Sequence, residues 1–173
     1  MNNDSLNKKK YKCDSLKEPI RILHVDDHPG FLYLTRRYLE LISNGNLIID
    51  SLSDSTYVLN QLKEKKYDLI VSDYLMPEMT GLELLRVLRK QNNDILFIMF
   101  TGSDKDVIAK ALNSGADYYI KKESSRNLFI KLEETIRMLV TQKRKEQMMK
   151  ETDRKFCRLI DISRDENGCV DSK

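Results

Sequence analysis

The sequence predicts an α/β domain built on a five-stranded parallel sheet with helices on both faces. Three observations carry this. Five short apolar runs alternate with segments of helical period, the pattern of repeated β-α units. One run, Ile95 to Phe100, is apolar throughout, as a strand covered on both faces requires. Two other runs end abruptly in carboxylates: Ile20 to Val25 is followed by Asp26-Asp27, and the run ending at Val71 is followed closely by Asp73.

The elements follow in order. Ile20 to Val25 reads as the first strand. Pro29 suits the first turn of a helix, where its missing N–H costs nothing. Leu34, Tyr38, Leu41 and Ile42 recur at helical spacing, and Asn44-Gly45 stops that helix. Leu47 to Ile49 is a short second strand. Asp54 or Ser55 can cap a helix carrying Val58, Leu59 and Leu62. Residues 68–73 form the third strand. Thr80 and Glu83 match a capping box ahead of Leu84, Leu85 and Leu88. The fourth strand leads to a helix starting at Ser103 or Asp104 and running through Ile108, Ala111 and Leu112. Asn113-Ser114-Gly115 ends it. Asp117 to Ile120 is the fifth strand, and a last helix carries Phe129, Leu132, Ile136, Leu139 and Val140. The expected topology is the flavodoxin-like order 2-1-3-4-5. The unit spans residues 19–140, with residues 1–18 as a disordered leader and 141–173 as a helical extension and tail.

Composition narrows the function. The chain has 173 residues, 40% hydrophobic and 33% charged, enough apolar material for one core. A net charge of +3 is too small to argue by itself for nucleic acid. No apolar run approaches the roughly 20 residues of a membrane span. The N-terminus is polar, with Lys8-Lys9-Lys10 and no apolar segment, so it does not read as a secretory signal. Cys13, Cys157 and Cys169 lack metal-ligand spacing, and a reduced, cytoplasmic chain is the simple reading.

At the C-terminal ends of the strands stand Asp26 and Asp27, Asp73, Thr101 and Gly102, and Lys121 and Lys122. Clustered carboxylates repel, and a divalent cation such as Mg²⁺ relieves this with oxygen ligands. A carboxylate can also attack phosphorus to form an acyl phosphate, a reaction needing chiefly positioning and charge neutralisation. Phosphate-binding glycine loops of the P-loop and dinucleotide types are absent.

On Val25-Asp26-Asp27, Asp73 with Met76-Pro77 and Gly81, Phe100-Thr101-Gly102, and Gly115 to Lys122, the chain resembles a response-regulator receiver domain of two-component signalling, over about residues 20–140. The resemblance implies that Asp73 is the phosphoacceptor. Asp26 and Asp27 would hold Mg²⁺, with Asp73 and the backbone carbonyl of Leu75. Thr101 would contact the phosphoryl group and act as a switch with Tyr119, the aromatic that changes rotamer. Counting from Gly115-Ala116 selects Lys122 rather than Lys121 as the phosphoryl-binding lysine, and strand alternation keeps the two distinct. The donor would be a phosphohistidine on a histidine kinase or phosphotransfer protein. A downstream protein would read the result, and a homodimer could form through the receiver or the C-terminal helix. The protein is expected to assist its own phosphorylation without being a turnover enzyme.

Departures from the family pattern are Glu123, where proline usually follows the lysine, and Thr80, where aspartate usually precedes the glycine. Leu75 is apolar at a position that tunes acyl-phosphate lifetime in the family. His24, within a strand, reads as a packed residue and His28 as the first turn of a helix. Neither suits a phosphotransfer histidine. A haloacid-dehalogenase-type phosphatase would need an acid two residues after Asp73, where Leu75 stands. A phosphorylation-independent module of the same fold is the alternative, as is a receiver fragment of a hybrid sensor kinase.

Thr141 to Arg158 contains no Gly or Pro and continues the last helix. Seven basic and three acidic residues lie between Lys143 and Arg158. A solvated extension fits this best, a signalling or dimerising coiled coil next, and a nucleic-acid contact is disfavoured. The junction, Tyr118 to Lys122 and Glu151 to Ile160, is similar to that of archaeal-type hybrid sensors, in which a PAS domain follows. This chain would end before such a domain could form.

Overall fold

The computed structural model describes residues 18–102, 105–123 and 127–165. The leader, the expected helix start at Ser103 or Asp104, Cys13, Cys169 and the tail from residue 166 lie outside these.

Among the described residues, five strands and five α-helices alternate: β1 (Ile20–Val25), α1 (Pro29–Ile42), β2 (Leu47–Leu52), α2 (Val58–Glu64), β3 (Leu69–Ser72), α3 (Gly81–Lys90), β4 (Leu96–Thr101), α4 (Lys105–Asn113), β5 (Tyr118–Lys121) and α5 (Leu128–Asp165). A 3-10 turn, Ser55–Tyr57, leads into α2, and Asp54 caps it through Thr56 N–H. The sheet order is β2-β1-β3-β4-β5, and every pairing is parallel. The flavodoxin-like order expected from the sequence is the order observed.

Side chains along a strand point alternately to its two faces, and this divides the core. Ile20, Ile22, Leu69, Val71, Leu96, Ile98 and Phe100 pack with Leu39 of α1 and with Leu132, Ile136 and Val140 of α5. Leu23, Val25, Ile70, Phe97 and Met99 pack with Val58 of α2, with Leu84, Leu85 and Leu88 of α3, and with Ala111 of α4. β4 is buried at all six positions.

One helix differs from the sequence reading. Leu34, Tyr38 and Leu41 keep helical spacing but are 42%, 47% and 75% exposed. The buried face of α1 is instead Leu32, Thr35 and Leu39, with Phe31 and Ile42 partly buried beside it. The helix carries two apolar stripes, and spacing alone does not tell which one meets the sheet.

Local signals set the helix ends. Pro29 opens α1, and the His28 imidazole accepts a hydrogen bond from Phe31 N–H at 3.3 Å. Thr80 and Glu83 form the reciprocal capping box of α3. Gly115 has φ of +94°, and a Cβ there would also crowd the Arg89 side chain. Arg89 donates to the carbonyls of Gly115, Asn93 and Ile95, fixing the end of α3 to the entries of β4 and β5.

Helix α5 does not stop where the core stops. Arg144 Nη2 lies 2.9 Å from Asp68 Oδ1, just before β3, and Arg144 Nη1 donates to the Glu18 carbonyl at 3.0 Å. Lys143 pairs with Asp94 at 3.5 Å. These contacts join the helix to the edge of the sheet opposite the strand-end acids. No helix among the described residues is long and apolar enough to cross a membrane.

Candidate functional site

Both key carboxylates stand one residue beyond a strand, and the sheet ladder continues into them. Asp26 N–H donates to the Leu52 carbonyl at 3.1 Å, and Asp73 N–H donates to the Val25 carbonyl at 2.8 Å. One ladder hydrogen bond thus ties each acid's backbone to the neighbouring strand. Asp26 is 1% exposed, and Asp73 is also buried. A buried carboxylate needs partners, and each has them. Asp26 Oδ1 accepts His28 N–H at 2.9 Å, and Asp73 Oδ2 accepts Leu75 N–H at 2.9 Å.

The other oxygen of each acid faces one ammonium. Lys122 Nζ lies 2.6 Å from Asp26 Oδ2 and 2.8 Å from Asp73 Oδ1. Lys122 N–H donates to the Thr101 carbonyl at 2.9 Å, one residue past the end of β5. The neighbouring Lys121 is exposed. Of the two lysines, Lys122 is thus the one whose ammonium reaches the acids.

The remaining predicted residues surround this triad unequally. Thr101 is buried at the end of β4. Tyr119 is half-buried and packs against the core on the α2, α3 and α4 side, opposite Met99 in register. Asp27 is exposed next to Asp26. Leu75 gives its N–H to Asp73, and its side chain is exposed beside the acid. Among the described residues, no three His, Cys, Asp or Glu side chains form a group able to hold a metal ion unaided. The two that converge, Asp26 and Asp73, offer only oxygen and already share a cationic partner. Mg²⁺ takes one or two carboxylates and keeps several waters, so this donor set fits it.

Gly81 holds the loop after Asp73 close. A Cβ at Gly81 would lie 2.1 Å from the Asp73 carbonyl oxygen, far inside contact distance. Gly81 N–H donates to the Tyr74 carbonyl at 3.0 Å, closing the turn. The glycine is required by proximity: the chain on either side of Asp73 leaves no room for a side chain there.

Sequence reasoning missed an aromatic group behind the lysine. Phe31, in the first turn of α1, and Phe100 of β4 have ring centroids 5.5 Å apart. His24 lies 6.4 Å from each. Its two ring nitrogens are buried without a hydrogen-bond partner. Burial, with a smaller push from the Lys122 charge, lowers its pKa to about 3, so the imidazole is neutral. Nothing in the spacing of Phe31 marked it as part of the site.

The sheet of order 2-1-3-4-5 thus carries two buried acids and a shared lysine at the C-terminal ends of its strands. The family model for the response regulator receiver domain matches residues 22–137, and the chain belongs to that family. It is 37% identical over 81 residues to the Sensor protein EvgS of Escherichia coli, a match covering 47% of this chain and 6% of EvgS. It is 40% identical over 106 residues to the transcriptional regulatory protein MalR of Bacillus subtilis, covering 59% of this chain and 44% of MalR. The chain therefore spans less than half the length of either relative. Among solved structures, a CheY-like receiver domain protein from Methanospirillum hungatei superimposes with a TM-score of 0.65 at 28% identity, over 75% of this chain and 99% of that one. The response regulator TrrA of Thermotoga maritima, solved in complex with Mg²⁺ and BeF, gives 0.58 at 30% identity over 69% and 98%.

Proposed function

We propose that this receiver accepts a phosphoryl group on Asp73 from a phosphohistidine of a histidine kinase or phosphotransfer protein, in the cytoplasm, and signals through a change of shape. The observation that carries this is the shared contact of one ammonium, Lys122, with Asp26 and Asp73. An oxygen of the Asp73 carboxylate attacks phosphorus, the P–N bond breaks, and the imidazole leaves with the bonding electrons and takes up a proton. The chain speeds its own modification but turns nothing over.

Each residue has a role in that step. Leu75 N–H holds Asp73 Oδ2 and so orients the carboxylate. Lys122 neutralises Asp73 before transfer and a phosphoryl oxygen afterwards. Mg²⁺ would be held by Asp26, Asp27, Asp73 and the Leu75 carbonyl, and it supplies neutralisation of the phosphoryl charge. Phosphorylation adds charge and acceptor oxygens next to Thr101. Thr101 then turns inward and Tyr119 follows, which reshapes the surface of β5 and α4 for a downstream protein. The domain limits suggested by the sequence, 19–140 with an extension from 141, belong to this reading.

Intact mass after incubation with acetyl phosphate and Mg²⁺ tests it. Wild type should gain one phosphoryl group and Asp73→Asn none. No gain from acetyl phosphate or from a phosphohistidine donor would leave a module that works by shape alone. The likeness to EvgS favours a second reading, in which the receiver serves as one part of a sensor protein.

A further inference from the structure

The Lys122 ammonium has three hydrogens, and two of its directions are taken by Asp26 and Asp73. The ammonium also lies over the ring of Phe31, the centroid 4.5 Å from Nζ, and the Phe100 centroid is 5.7 Å away. Both distances are within the range at which a cation is attracted to the negative face of an aromatic ring. The Lys122 side chain is only 18% exposed, so water screens the attraction weakly.

The ring itself is held from several directions. Phe31 N–H donates to the His28 carbonyl at 3.0 Å. Its ring meets those of Phe100 at 5.5 Å and Phe129 at 6.3 Å, and Phe129 stacks on Tyr38 at 4.8 Å. A lysine side chain has a flexible four-carbon stem and loses much freedom when its end is fixed. A rigid face beside the ammonium limits the positions it can take when charge at Asp73 changes.

We propose that Phe31, backed by Phe100, is a positioning residue that holds the Lys122 ammonium at the two carboxylates through its ring face. The inference rests on the reading of Asp73 as acceptor for its effect on rate, but the contact itself is tested independently.

The experiment compares wild type with Phe31→Leu, Phe31→Tyr and a series with increasingly fluorinated phenylalanine at position 31. Fluorine drains the negative face of the ring while nearly keeping its shape, so packing alone predicts no trend. Two quantities are read: the rate of Asp73 phosphorylation by acetyl phosphate, and the NMR shift of the Lys122 ε-methylene protons, which a nearby ring face moves upfield. Phe31→Leu should slow phosphorylation about tenfold and abolish the upfield shift. Phe31→Tyr should retain both, and rate should fall stepwise with fluorine. A wild-type rate in Phe31→Leu, or a flat fluorine series at unchanged Tm, overturns the proposal. If wild type is phosphorylated neither by acetyl phosphate nor by a phosphohistidine donor, the acceptor reading fails, and the ε-methylene shift still decides the contact. Should Phe31→Leu not fold, the fluorinated series, which preserves the core, decides the matter by its slope.

Discussion

Lys122 Nζ is 2.6 Å from Asp26 Oδ2. The lysine follows the strand after α4 and the acid follows the first strand, 96 residues apart in sequence. One charge thus joins the ends of β1 and β5 across the sheet, with Asp73, one residue beyond β3, as its second partner.

Lys122→Met should leave two buried carboxylates without their shared cation. Removing one partner of such a buried group costs about 3 kcal/mol. Mg²⁺ should recover much of the loss by binding the same oxygens, so its effect on Tm should be larger in the variant than in wild type. Thermal melts with Mg²⁺ and with chelator measure this. Equal Mg²⁺ effects in both proteins would mean that the two cations do not compete.

Gly81→Ala should displace the Asp73 carbonyl, because the new Cβ would lie 2.1 Å from it. A stability loss of about 2 kcal/mol is expected, with slower phosphorylation. Gly102→Ala is the control, since a Cβ there meets nothing within 4 Å. Denaturant melts and a phosphorylation time course on both variants separate crowding from a general dislike of alanine.

His24 gives the pH dependence. Its pKa falls from 6.5 to about 3 on folding, chiefly by burial. Between those values the unfolded chain binds a proton that the folded chain refuses. Stability therefore falls as pH drops below 6.5, and this contribution levels off near 3. From about pH 7.5 to about pH 5 the loss is about 2 kcal/mol. His24→Leu should lack that loss and gain stability at every pH by removing two unpartnered buried nitrogens. Urea melts in chelator across this range check it; parallel pH curves for the two proteins would contradict the assignment.

Thr80→Ala should cost about 1 kcal/mol by opening the capping box of α3. Phosphorylation should reach the same end point as wild type, because the Thr80 hydroxyl bonds Glu83 at the helix start and not the acids. A lower end point by mass spectrometry would give Thr80 a role beyond the cap.

The sheet could be read in the sequence because strands buried on both faces leave uninterrupted apolar runs, such as Leu96 to Phe100. Asp26 and Asp73 stood out as carboxylates closing apolar runs, but either acid alone reads equally well as a helix or turn cap, and only the four motifs in their order along the strands pointed to a site. The orientation of α1 was not visible. Leu34, Tyr38 and Leu41 make as regular a stripe as Leu32, Thr35 and Leu39, and only contact with β2 and α5 selects the second. Phe31 was hidden for a related reason. An aromatic in a first helical turn looks like ordinary core, and its relation to Lys122 arises from a lysine far later in the chain. Lys122 could be separated from Lys121 by counting and alternation, whereas its double contact with Asp26 and Asp73 is a property of three strands together.

The contacts of Arg144 with Asp68 and Glu18 fasten α5 to the sheet at one point of its length. From Lys145 to Phe156 every residue of α5 is exposed, and the helix runs on to Asp165. The stretch from Arg144 to Asp165 spans about 32 Å at the helical rise. A rod of that length swings its far end by about 3 Å for a tilt of about 5° at its base. Displacements too small to disturb the packing of the sheet would thereby become travel as large as a side chain, delivered well outside the domain where they began.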